Sequence, residues 1–176
     1  EVGLDIHSAD KEVNRSERDV RKKVMTHLVV SGGTNLASGL SLVSVVVDIE
    51  RIGDYTKNIY DLAVHHPLRL EGGPVEEKLQ KVETAVTTDF KGMIEVFKDR
   101  DEDKARVIMN NYKDGLSDAC EEISNSILTG TVTDLNSSDA TAVSLYARFL
   151  KRIASHSRNI VTSVVNPFHR IGYREK

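Results

Sequence analysis

The chain has no tryptophan, only three prolines and a single cysteine in 176 residues, and each scarcity excludes something. Aromatic residues make up 5% of the composition, so the core has to be assembled from aliphatic side chains, and the shortage of proline lets long helices run unbroken. One cysteine, Cys120, rules out an intrachain disulfide framework. It falls on an apolar helical stripe where a small buried hydrophobe would serve, which suits a reducing compartment and a cytoplasmic location. The longest strongly apolar run, Leu42 to Val47, is cut off by Asp48 and is far short of a membrane span. An excess of positive charge is also missing. The net charge is −3 and Lys and Arg are scattered along the chain, which argues against nucleic acid as a partner. Neither a phosphate-cradling glycine loop nor a serine in a strand-turn-helix elbow is found, which removes nucleotide binding of that type and nucleophilic hydrolysis.

What the chain does have is aliphatic periodicity. An apolar fraction of 39% with 29% charged residues is that of an ordinary folded protein, large enough for one full core. Apolar residues recur every three to four positions in five segments, which predicts five helices. The first runs from Asp10 to Val30 and stops at Ser31-Gly32-Gly33. The second starts after Asn35, a plausible N-cap, and continues to Val64, before His65-His66-Pro67. The third carries the stripe Val75, Leu79, Val82, Val86, Phe90, Met93 and Phe97. Asp101 caps a fourth helix that reaches Thr129, and the fifth extends from Ser138 or Asp139 until Pro167 stops it. The tail from Phe168 has no periodicity. Short loops between such helices predict an all-α, antiparallel helical bundle.

Within the second helix, Arg51-Ile52-Gly53 and then Asn58-Ile59 recur 101 positions later as Arg152-Ile153-Ala154 and Asn159-Ile160. This points to a duplicated unit, with residues 1–66 as the first copy, 67–74 as linker, 75–166 as the second and 167–176 as tail. The first copy then has two helices against three in the second. A bundle short of one helix leaves apolar surface uncovered, to be covered by a preceding segment, a dimer partner or a compensating contact. The chain opens on Glu1 without an initiating methionine, and we expect it to be part of a longer protein.

The two copies differ where it matters chemically. Glu50 and Asp54 stand at i and i+4, on one helix face and one turn apart, where two carboxylates can share a hard cation. Asp10 and Asn14 repeat the spacing on the first helix, the antiparallel neighbour, so the four could place oxygen ligands around one divalent or iron ion; the alternative makes Asp10 an N-cap and Asn14 a surface residue. In the second copy Lys151 and Ser155 stand in place of the acidic pair, and we expect Lys151 to form a salt bridge with Asp114 and Asp118. Arg51 and Arg152 are expected to pair with neighbouring helices, and Asn58 and Asn159 to bond across the bundle. A carboxylate di-iron enzyme would also use acidic pairs in a helical bundle, but it needs Glu-x-x-His, and none of the six histidines has Glu three residues before it.

Asp10 to Asn14, Asp48 to Asp54 and Asn58-Ile59, with Arg152-Ile153-Ala154, His156 and Asn159-Ile160 in the second copy, resemble the PhoU family of phosphate-uptake regulators over most of the chain. The resemblance implies two pseudo-symmetric three-helix units, here with the first helix of the first unit missing, and an acidic metal-binding motif that only Glu50 and Asp54 match fully. It also implies a non-enzymatic regulator whose partners are a phosphate transporter and a sensor kinase, working in the cytoplasm at the inner face of the membrane. Similar domains are attached to sodium/phosphate symporters, and the missing first helix favours that attached form slightly. Homodimerisation is compatible with either setting.

Overall fold

The computed structural model describes residues 3–66 and 68–175, the side chain of Asp114 excepted. Among these residues all regular structure is helical: α1 (Ile6–Val30), α2 (Leu36–His65), α3 (Glu76–Asp99), α4 (Glu102–Asn111), α5 (Ser117–Leu128) and α6 (Ser137–Val165). The expected fourth helix spans α4 and α5, joined without a loop by a π-helical turn at Tyr112–Leu116. Gly115 explains the interruption. Its φ of 139° lies where L side chains rarely go, so only glycine accommodates the bulge without strain.

Side-chain caps set several helix starts. Asp5 accepts the N–H groups of His7 and Ser8 at 3.1 Å each, so α1 begins before Asp10, and Asp10 is an interior residue rather than the N-cap. Asp101 caps α4 through the Lys104 N–H at 3.0 Å, as expected. Asn136 caps α6 through the Asp139 N–H at 2.9 Å, which moves that helix start to Ser137. Asn35 does sit at the N-cap of α2, but in the left-handed region and without a side-chain capping bond.

Helix α6 lies at the centre and packs against α2, α3, α4 and α5, whereas α1 packs on α2. The α2–α6 pair is antiparallel, since Asp48 meets His156 while His66 meets Asp139. Fully buried aliphatic residues cluster where the helices meet α6, among them Val45, Val96, Ile123, Val143, Ile160 and Val161. Removal of such surface from water contributes about 1.5–3 kcal/mol per side chain. By contrast, α1 buries no residue fully. Its seam with α2 is close at Gly39, which faces Val24 and Leu28 where a larger residue would push the helices apart.

An apolar face is uncovered beside α1, α2 and α3. Ile49 is 42% exposed, while Leu150, its counterpart 101 positions on, is 5% exposed under α3 and its neighbours. Thr56 is likewise exposed and its counterpart Ser157 buried. The result is a trough of about 430 Å³ between α1, α2 and α3, lined by Ile6, Val13, Ile49, Phe90, Met93 and Phe97. The aperiodic tail is nonetheless ordered against the bundle. The Asn166 amide donates to the carbonyls of Arg170 and Tyr173 at 3.1 and 2.9 Å, and the Gly172 N–H donates to Thr162 Oγ1 at 2.7 Å. No helix among the described residues is long and apolar enough to cross a membrane.

Candidate functional site

The antiparallel contact of α1 and α2 brings the acidic positions onto facing surfaces. Lys57, one helix turn after Asp54 and absent from the expected set, reaches across the seam. Its Nζ lies 2.9 Å from Asp10 Oδ2 and 3.3 Å from Asp54 Oδ1, so an ammonium stands between the two carboxylates. These bonds, that to Asp10 first, hold the Lys57 ammonium above the ordinary lysine range. Arg51 pairs within its own helix, with Asp54 at 3.3 Å and Glu50 at 3.6 Å, rather than with a neighbouring helix. Arg152 is exposed.

Glu50 bears the strain of the cluster. Partial burial, and after it the charge of Asp54, push its carboxyl above the usual range; Arg51 opposes the shift and Glu17, facing from α1, adds to it. Glu17 itself is held by Arg21 at 2.9 Å. Asn14 turns its amide to the Asp10 backbone carbonyl at 3.0 Å. Structure therefore joins Asp10 to Asp54 through Lys57, places Glu50 beside Asp54 and opposite Glu17, and leaves Asn14 bonded to its own helix. Among the described residues no group of three or more His, Cys, Asp or Glu is disposed to hold an ion. The Glu50 and Asp54 carboxylates are an all-oxygen pair whose chemistry fits a hard cation, which would take the place of Arg51 and of the Lys57 contact to Asp54.

In the second copy Lys151 pairs with Glu121, not with Asp118; the side chain of Asp114 lies outside the described residues. Glu121 stands three positions after Asp118, as Glu17 stands three after Asn14, so Glu121 faces Lys151 in the way Glu17 faces Glu50. Neither glutamate belongs to the expected set. The signal was present as a glutamate three positions on from Asn14 and from Asp118, continuing each spacing along the same helix face.

A second polar cluster joins the two copies. Asp48 is buried and accepts from the Asn159 amide at 3.1 Å, with His156 Nδ1 at 2.7 Å, and Tyr55 stacks on the His156 ring at 5.8 Å between centroids. Asn159 thus bonds across the bundle as expected, through a carboxylate that interrupts the apolar run of α2. Burial pushes the Cys120 thiol up to about 11, which makes it a poor nucleophile.

A family model described as PhoU domain matches residues 2–63 and 79–164. No curated protein and no solved structure matches the chain.

Proposed function

The chain belongs to the PhoU domain family, and from that premise we propose that it modulates phosphate uptake and signalling through contacts with other proteins. The family is regulatory and non-enzymatic and acts in phosphate homeostasis. Its match on both copies of the repeat is the observation that carries the reading. The partners we infer are a phosphate transporter or symporter and a sensor kinase, met at the cytoplasmic face of the membrane. Attachment to a symporter is the alternative setting.

A divalent or iron ion at Glu50 and Asp54 is the second part of the proposal. Corresponding positions support it: where the second copy sets Lys151 against Glu121, the first sets Glu50 against Glu17. The cation that one copy carries in its own side chain has to come to the other from Arg51, Lys57 or solution. Bound there, an ion would neutralise the acidic seam, and Lys57 would remain on Asp10.

Deleting the gene and measuring phosphate import tests the regulatory role. We expect import to lose its restraint in phosphate-replete medium, and the purified protein to retain a membrane phosphate transporter or its sensor kinase. Unchanged import together with no retention of either would overturn the reading.

A further inference from the structure

The π-helical turn between α4 and α5 forms one wall of a pocket of about 500 Å³ into which Arg106, Lys113, Arg158 and Arg174 project. The pocket occupies the second copy's counterpart of the acidic seam: Arg158 stands 101 positions after Lys57, and Asp118 stands 104 after Asn14. Its charge balance is different. Arg106 is neutralised by Glu175, with two contacts at 2.8 Å, and by Glu102 at 3.0 Å. Among the described side chains Arg158 has neutral partners instead: it donates to the Gly172 carbonyl at 3.1 Å and lies over the Tyr112 ring at 5.4 Å. Lys113 and Arg174 are exposed at the rim. Among the described side chains the lining sets Asp118 against Lys113, Arg158 and Arg174, because Glu175 is engaged with Arg106.

We propose that this pocket binds a phosphate group, either inorganic phosphate or the phosphate of a small organic ester. Three cations converging from the π turn, α6 and the tail can surround a tetrahedral oxyanion, with guanidinium forks supplying paired donors. The Ser117 hydroxyl and the Asn110 amide add neutral hydrogen-bonding groups to the same wall. The volume exceeds what orthophosphate alone requires and leaves room for an organic moiety. A π-helical turn is a frequent companion of binding sites because the extra residue redirects side chains out of the helical register. Here it sets Lys113 and Ser117 on the pocket wall. The tail supplies Arg174, so binding would tighten its hold on α4 and α6. The inference is independent of any ion at Glu50 and Asp54.

Calorimetric titration with inorganic phosphate and, separately, with adenosine monophosphate tests it. We expect saturable binding of at least one probe with Kd below about 1 mM, weakening as salt rises. Binding of both assigns the site to the free phosphate group, and binding of the nucleotide alone to an ester. The pair Lys113→Gln and Arg174→Gln removes two exposed cations, and it should lower affinity at least tenfold with an unchanged circular dichroism spectrum. Glu50→Ala with Asp54→Ala should leave phosphate binding unchanged. Absence of binding by both probes, or affinity unaltered in the Lys113 and Arg174 variant, would overturn the proposal.

Discussion

Glu50 and Lys151 occupy the same position of their repeats and each faces a glutamate, yet only the second arrangement is neutral within itself. The raised Glu50 carboxyl gives the metal-free protein a pH dependence of definite sign. A folded-state value above the unfolded one means that the folded protein binds the proton more tightly. This contribution to stability is complete below the ordinary carboxylate range, and it is lost as pH rises through that range to the raised value. Glu50→Gln should therefore stabilise the chelator-treated protein at neutral pH by about 0.2–0.5 kcal/mol, the scale of a relieved like-charge pair one turn apart, and flatten this loss; urea titrations at pH 4 and 7 check it. Asp89 poses the opposite risk. It is 6% exposed and accepts from the Asn111 amide at 3.1 Å, so Asn111→Leu should cost about 1–3 kcal/mol in chemical denaturation by leaving a buried carboxylate without its donor. The pairing of Glu50 with Asp54 was legible from spacing alone. Lys57 was not, because its role arises from the length of a flexible side chain crossing a seam whose register the sequence does not state.

Helices were legible wherever a stripe had clear breakers, and their ends were less so. Asp5, Asp10 and Asn14 are all chemically able to cap, and the choice fell to Asp5 because α1 gains another turn against α2, where His7 lies 3.4 Å from Asp61. The π turn shows the same limit. Apolar spacing continues through Ile108, Tyr112 and Leu116, which hides an extra residue, and Gly115 was the only local sign of it. Since a Cβ at Gly115 would meet nothing within 4 Å, the effect of Gly115→Ala should come from the backbone alone. We expect a loss of about 1 kcal/mol or more by thermal unfolding, with loss of the pocket wall that Lys113 and Ser117 share.

Two long helices, α1 and α2, stand against α3 to α6 in the rest of the chain, and this shapes the molecule as a whole. Equivalent positions of α2 and α6 meet different surroundings, which periodicity cannot reveal, since both helices show the same apolar face. Truncation should expose the difference: Leu150→Ala should cost about 2–5 kcal/mol by urea denaturation, whereas Ile49→Ala, at the open trough, should cost under about 1 kcal/mol. The same asymmetry runs through the charges, acidic along the α1–α2 seam and internally paired at Lys151 and Glu121. Helical architecture and family were readable from repeats and stripes, while the distribution of cations over the two copies required the fold. The measurement that bears most directly on this account is a manganese or ferrous iron titration of the whole chain beside its Glu50→Ala, Asp54→Ala variant, followed by metal analysis of both. Saturable binding by the parent that is lost in the variant, with helicity unchanged, is the predicted result; equal occupancy of the two proteins, or no binding by the parent, would contradict it.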